Sequence, residues 1–249
     1  MSWNLSEKWN AARRALLGML YPPVCPACKN WLRKHAEPGD FCEPCREIMV
    51  PVEPPFCEVC AEPFAGAITG VFTCSNCHGL DHAYEFAVCR WLSRGPVREA
   101  VHRLKYNRVR AVRLALARLM VPALDDVRLA GTSWLLVPVP LHPRKLRLRT
   151  YNQSSELARA LARLTGLECR HVLRRIRWTD SQAGLDRADR LKNLRGAFAV
   201  PRGALKQVAG RAVLLIDDVL TTGTTAHECA LALKKAGAAR VAVLTAARG

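Results

Sequence analysis

Eight of the eleven cysteines stand in four Cys-x-x-Cys pairs: Cys25/Cys28, Cys42/Cys45, Cys57/Cys60 and Cys74/Cys77. Thirteen residues separate Cys28 from Cys42, and thirteen separate Cys60 from Cys74. The second set repeats the first with a shift of 32 positions. A Cys-x-x-Cys turn aims two sulfurs at one point, and two such turns complete a tetrahedral thiolate site. The spacing therefore predicts two zinc ribbons, each with a structural ion held by four cysteines. Prolines and aromatics flank the pairs (YPPVCPAC, PPFCEVC), and little else there would form a core, so Zn–S bonds would carry much of the folding free energy. Disulfides are disfavoured without a secretory signal, and redox chemistry does not need two equally spaced pairs of pairs. Four cysteines per site leave no open position for catalysis. His35 and His78 are expected to be exposed or to lie behind the ligands. The spacing also permits crossed pairing of the four turns. Cys89, Cys169 and Cys229 sit in apolar contexts and read as buried, inert thiols.

The chain has 249 residues, half of them apolar, enough for one medium domain beside a small module. No apolar run reaches the roughly 18–20 residues needed to cross a bilayer. Residues 1–20 form an amphipathic pattern interrupted by Glu7, Lys8, Arg13 and Arg14, which predicts a helix on the protein's own surface or on a membrane surface rather than a signal peptide. The chain reads as cytoplasmic, with no membrane insertion. Its formal charge of +17 attracts anions. Arg98, Arg103, Lys105, Arg108, Arg110, Arg113 and Arg118 crowd one helical stretch, and Arg144, Lys145, Arg147 and Arg149 crowd another. Phosphate or nucleic-acid contact and a merely solvated basic face both remain open for them.

Beyond Cys77 strand and helix patterns alternate. Strands are expected at 83–92, 133–140, 168–175, 196–200, 211–218 and 239–247. Helices are expected at about 96–120, 152–166 and 225–237, the second capped by Asn152 or Ser154. Residues 177–195 are polar and weakly periodic and read as a long loop. Such alternation predicts an α/β fold with a mostly parallel sheet and helices on both faces. Ligands bind such sheets beyond the carboxyl ends of the strands.

One of those ends is VLLIDDVLTTGTT, residues 213–225. Its backbone N–H groups and threonine hydroxyls lead into a helix N-terminus and form an anion site of phosphate size. Gly223 permits a positive φ or a close approach. Asp217 and Asp218 repel phosphate but accept hydrogen bonds from a diol. Phosphate at one end and vicinal hydroxyls at the other describe a ribose 5-phosphate. Neither an ATP-type phosphate loop nor a dinucleotide fingerprint is present.

VLLIDDVLTTGTT closely resembles the 5-phosphoribosyl pyrophosphate (PRPP) motif of type I phosphoribosyltransferases. The chain as a whole is similar to the ComF (GntX-like) competence-protein family, a double zinc ribbon followed by such a transferase domain. YPPVCPAC (21–28), VHRLKYNR (101–108), VPVPLHPRKLRLRTYNQSSELA (137–158) and RRIRWTDSQAGLDRADRLKNLRGAFAV (174–200) carry that likeness. At 149–153 the chain has RTYNQ where the family commonly has RGFNQ. The resemblance implies an N-terminal helix over 1–20, a ribbon module over 21–80 and a transferase domain over 81–249. It implies that Asp217 and Asp218 hold the ribose hydroxyls directly or around Mg²⁺, and that Thr221, Thr222, Gly223, Thr224 and Thr225 hold the 5-phosphate. Val139, Pro140, Leu141 and His142 correspond to the pyrophosphate loop. Arg149, Asn152 and Gln153 follow it, either as pyrophosphate contacts or as caps and surface charge. Thr179, Gln182, Arg190 and Asn193 match the family's flexible loop. The implied chemistry is displacement of pyrophosphate from the anomeric carbon, with Arg149 and Mg²⁺ neutralising the leaving group. No base-binding hood is recognisable, and the acceptor is not specified. Single-stranded DNA and a helicase-like DNA-uptake protein are the implied macromolecular partners. A DNA-binding factor or scaffold that uses the PRPP site as a sensor, without turnover, is the competing reading.

Overall fold

The computed structural model describes residues 24–32, 40–66, 68, 70–106, 112–178 and 194–249. The expected N-terminal helix over 1–20 and His35 lie outside the described residues, as do Thr179, Gln182, Arg190 and Asn193.

Four strands form one wholly parallel sheet: β1 (Ala87–Cys89), β2 (Trp134–Pro138), β5 (Ala212–Leu220) and β6 (Arg240–Arg248), in the order β1-β6-β5-β2. Every residue of β2 is buried, and β6 is buried from Val241 onward. Strands covered on both faces read as continuous apolar runs, and WLLVP and VAVLTAA are such runs. Alternate residues then divide between two cores. Leu136, Leu214, Ile216, Ala242 and Leu244 share one with helices α2 (Gly95–Tyr106), α3 (Val112–Met120) and α5 (Gln153–Thr165). Leu135, Val137, Val213, Leu215, Val241 and Val243 share the other with α6 (Thr224–Lys235). Helices therefore cover both faces, as expected. Among the described residues no helix is long and apolar enough to cross a membrane.

The strand expected at 168–175 is mostly absent. Cys169 makes a single parallel bridge to Leu136. Val172 and Leu173 then turn into the second core, and the chain leaves the sheet. It pairs again only as β3 (Arg174–Arg175), antiparallel to β4 (Phe198–Ala199). Cys169 is consequently half-buried rather than buried, whereas Cys89 and Cys229 lie in the interior. Two short helices, α1 (Glu43–Glu47) and α4 (Pro143–Arg149), complete the inventory relevant to the site.

Within the basic stretch 98–118 Arg98 is exposed, whereas Arg103, Lys105, Arg113 and Arg118 are each engaged by the rest of the protein. Arg103 Nη1 donates to the carbonyls of Cys25 and Pro26 at 3.1 and 2.7 Å. Lys105 pairs with Asp218, Arg113 with Glu156 and Arg118 with Asp40. These cations fall on the inward side of their helices, where they bind the ribbons and the sheet ends to α2 and α3. Arg108 and Arg110 lie outside the described residues.

Candidate functional site

The cysteines gather as two separate tetrads, Cys25/Cys28/Cys42/Cys45 and Cys57/Cys60/Cys74/Cys77, with the sulfurs of each within 4.8 Å of one another. Pairing is thus uncrossed. Sulfurs bound at ~2.3 Å around a tetrahedral ion lie about 3.8 Å apart, and Cys28–Cys42 and Cys60–Cys74 are both at 3.6 Å. Number, spacing and donor type fit zinc at each site, with no position left for water. His78 is exposed and outside the tetrad. The two sites differ in burial. Cys28 of the first is exposed, while all four cysteines of the second are buried in the α6-face core. Cys60 is drawn toward the thiolate, first by the neighbouring Cys77 sulfur and then by the Arg248 charge.

The other site assembles at the carboxyl ends of β2 and β5. Asp217 and Asp218 lie within β5, three and two residues before its end. Ser154 Oγ donates to Asp217 Oδ1 at 2.7 Å, and the Asp218 N–H donates to the same oxygen at 2.9 Å. Burial, then the Asp218 charge, raises the Asp217 pKa to about 7. Asp218 is 3% exposed. Its Oδ1 lies 2.9 Å from Lys105 Nζ on α2, and its Oδ2 is buried without a hydrogen-bond partner among the described residues. Burial alone would lower the Lys105 pKa, but the Asp218 carboxylate outweighs it and raises it. A buried carboxylate oxygen without a donor is costly, so this position is suited to a hydroxyl or a cation.

Beyond β5 the chain turns through Thr221–Gly223 into α6, whose N-cap is Gly223 at φ 74°. The left-handed conformation favours glycine. Space demands it as well, since a Cβ there would stand 2.6 Å from the Tyr84 hydroxyl. Tyr84, 2% exposed, forms the floor of the turn. Thr222 Oγ1 and Thr224 Oγ1 bond each other at 3.0 Å across it. Thr221 is exposed, Thr222 and Thr225 half-buried and Thr224 buried.

Val139 follows β2, and its N–H donates to Ile216 O at 3.0 Å, which sets the 139–142 loop beside the acidic pair. Asn152 Nδ2 donates to Val139 O at 2.9 Å, and Asn152 Oδ1 accepts from Ser154 N at 3.0 Å. Asn152 therefore caps α5 and clamps this loop with both ends of its amide. Gln153 is buried, with Oε1 unpartnered. His142 caps α4, its Nδ1 accepting from Arg144 N at 3.2 Å. Pro140 and Leu141 lie half-buried between them. Arg149 stacks over Tyr106, with 5.1 Å from guanidinium carbon to ring centre, and so leans toward the helix that carries Lys105. Burial, then the charges of Arg175 and Arg149, pushes the Lys145 pKa down. Crowded like charges of this kind are relieved by an anion.

Thr150 ends α4 at φ 69°, a left-handed position at which a β-branched residue is strained. Next to it, Tyr151 Oη donates to Leu104 O at 2.5 Å, a tie to α2 that phenylalanine would lack. Lys105, Tyr84 and Ser154 were not singled out as site residues from the sequence. Only the LKY of VHRLKYNR, within a stretch that resembled the family, pointed toward Lys105.

The double zinc ribbon domain model matches residues 16–89, and the phosphoribosyl transferase domain model matches residues 152–249. Competence protein F of Haemophilus influenzae is 30% identical over 179 residues, covering 70% of this chain and 78% of that protein. DNA utilization protein YhgH of Escherichia coli K12 is 35% identical over 156 residues, covering 59% of this chain and 65% of that one. Among solved structures, glutamine PRPP amidotransferase from B. subtilis, complexed with ADP and GMP, aligns at 22% identity and a TM-score of 0.34. That alignment covers 53% of this chain and 25% of that one. With two cysteine tetrads, a parallel α/β domain and similarity over most of the Haemophilus protein, the chain belongs to the Competence protein F family.

Proposed function

We propose that the protein binds PRPP at the carboxyl end of β5 and transfers its phosphoribosyl group to an acceptor. The observation that carries this reading is the continuity of Asp217–Asp218 with the Gly223-centred turn at the start of α6. One strand end thus offers hydrogen-bond acceptors for a diol, and the next turn offers amide donors for a phosphate. The Thr221–Thr225 amides and hydroxyls hold the 5-phosphate, the Thr222–Thr224 hydroxyl pair opening to donate outward. Asp217 and Asp218 receive the ribose hydroxyls, and Asp218 Oδ2 gains there the partner it lacks. Asp217 and Asp218 also fit Mg²⁺, which supplies charge neutralisation for the departing pyrophosphate. The Val139–His142 loop, with Arg149 and Lys145 behind it, faces the pyrophosphate side, and its crowded cations match a multiply charged anion. Asn152 and Gln153 shape that loop. A preorganised donor in such a site contributes about 3 kcal/mol to a transition state in which pyrophosphate carries away charge.

The module boundaries follow as 1–20, 21–80 and 81–249, in a cytoplasmic protein whose thiols stay reduced for zinc. A role in handling incoming DNA accords with the names of its relatives, which are a competence protein and a DNA utilization protein.

A second reading has one specific observation in its favour. Arg144 stacks over Trp178 at 5.6 Å, His142 meets Trp178 edge-on at 5.1 Å, and His102 and Arg149 flank Tyr106. Tyr106 is 60% exposed and Trp178 38% exposed. Exposed aromatics interleaved with arginine suit single-stranded nucleic acid, and the PRPP site would then act as a sensor without turnover. Calorimetric titration of PRPP with Mg²⁺ into zinc-loaded protein tests the main reading. Binding is expected, and its loss in Asp217→Asn/Asp218→Asn; a folded wild type that shows none refutes it. Pyrophosphate release across a panel of bases, with and without single-stranded DNA, then separates transferase from sensor.

A further inference from the structure

Arg248, the last residue of β6, is 3% exposed. A guanidinium withdrawn so far from water needs several acceptors; besides the adjacent Gly249 carbonyl, to which Nη1 donates, its acceptors lie on two different parts of the protein. Nη1 donates to the carbonyl of Leu220 at 2.9 Å. Nη2 pairs with Glu62 and lies 3.8 Å from Cys60 Sγ, within reach of a weak N–H···S bond. Leu220 is the final residue of β5, and Thr221–Thr225 begins immediately after it. Glu62 follows Cys60 by two residues, inside the second ribbon. One side chain therefore spans a cysteine of the second tetrad and the carbonyl at the root of the turn.

The backbone makes that span stiff. Arg248 N–H donates to Trp91 O at 2.8 Å, and Ser93 N–H donates to Arg248 O at 2.6 Å. Ala87 N–H donates to Val59 O, which fastens the ribbon to β1 at 2.8 Å. The span also depends on the metal. Zinc held by four sulfurs fixes Cys60, and with it the Cys60–Glu62 segment that faces the guanidinium. With zinc gone, Cys60 and Glu62 are no longer held in place by the metal. The guanidinium is then free to leave Leu220.

We propose that Arg248 is a positioning residue that couples zinc at the second tetrad to the Thr221–Thr225 turn. The turn keeps its ligand-ready shape only while that zinc is held. Among the described residues the first tetrad shows no comparable link to the turn; its ties to the body run from Arg103 to the carbonyls of Cys25 and Pro26 and from Arg118 to Asp40. The coupling itself does not require PRPP; only its functional consequence rests on the reading given above. By reciprocity, a ligand on the turn would also tighten the binding of the second zinc.

Hydrogen exchange followed by mass spectrometry on the full zinc-loaded chain tests this, with residues 219–226 as reporter and 153–165 as internal control. A mercurial thiol reagent should release zinc in two phases, first from the tetrad with exposed Cys28 and then from the buried one. Exchange over 219–226 is expected to rise by about tenfold with the second phase and not with the first, since a charged donor is lost at a buried carbonyl. Arg248→Gln should keep both zincs, show the raised exchange already, and gain nothing further when the second zinc leaves. Arg248→Lys, which keeps the charge without the fork, should restore part of the protection. Wild-type turn protection that survives loss of the second zinc overturns the proposal. So does Arg248→Gln with both zincs and unchanged exchange. If Arg248→Gln does not fold, the wild-type titration decides alone. PRPP calorimetry on the same samples keeps the two readings apart, because exchange coupling without PRPP binding sinks only the transferase reading.

Discussion

Replacing Lys105 by methionine removes the ammonium 2.9 Å from Asp218 Oδ1 while keeping most of the side-chain volume. At that separation, with an effective dielectric of about 20, the attraction is roughly 6 kcal/mol. Dehydration of the ammonium and carboxylate cancels much of it. Leaving a buried carboxylate unpaired costs about 3–5 kcal/mol. Lys105 retains 23% side-chain exposure, so water replaces part of its role and the low end applies. Lys105→Met is therefore expected to destabilise the zinc-loaded protein by about 3 kcal/mol at neutral pH, lowering Tm by roughly 6–12 °C for a chain of this size. Asp218→Asn alone should cost less, and the double variant should lose clearly less than the sum, with a coupling of about 2 kcal/mol. Thermal unfolding of the four proteins, each checked for zinc content, measures that coupling. Millimolar Mg²⁺ should also stabilise Lys105→Met more than the wild type, because a divalent cation fills the place of the ammonium. Losses that add to within about 0.5 kcal/mol would refute the reasoning, because distant, independent sites add that closely. They would mean that Asp218 is solvated rather than held by Lys105.

Three further outcomes follow from the same geometry. Asp217 has a folded pKa of about 7, above its unfolded value, so its contribution to stability is fully present below the unfolded pKa and is lost as pH rises to the folded pKa; urea unfolding should show stability falling from about pH 4 to about pH 7 and levelling off above, a slope that Asp217→Asn flattens, while Mg²⁺–PRPP affinity moves the opposite way. Gly223→Ala sets a Cβ 2.6 Å from the Tyr84 hydroxyl at φ 74°; calorimetry should show PRPP affinity down by on the order of tenfold, with partial recovery in Gly223→Ala/Tyr84→Phe, where the next ring atom is 3.6 Å away. Thr150→Gly relieves a left-handed β-branched residue and should raise stability by about 0.5–1 kcal/mol once the added freedom of the unfolded chain is subtracted; an unchanged or lower unfolding midpoint would count against strain at that turn.

Much of this protein is local in its causes, and such parts were legible in the linear order of residues. Two Cys-x-x-Cys turns at equal spacing specify a tetrad wherever they fold, because each turn orients its own pair of sulfurs. The run VLLIDD has no polar face, so it must be a strand covered on both sides, and the glycine among threonines that follows must end it and begin a helix. Thr150 stands where the family commonly has glycine, a departure visible in the sequence, and the positive φ there shows the strain it brings. The strand expected at 168–175 failed because its apolar residues serve the second core rather than the sheet, a choice that side-chain period alone does not reveal. What tertiary structure decided are the contacts between segments far apart in sequence: which Cys-x-x-Cys turns gather into each tetrad, Lys105 on Asp218, Tyr84 under Gly223 and Arg248 between Cys60 and Leu220. In each case a buried charge or a tight backbone approach depends on a partner supplied by another element. No local pattern encodes that partner, because its identity follows only from which helix faces and strand ends the packed sheet brings together.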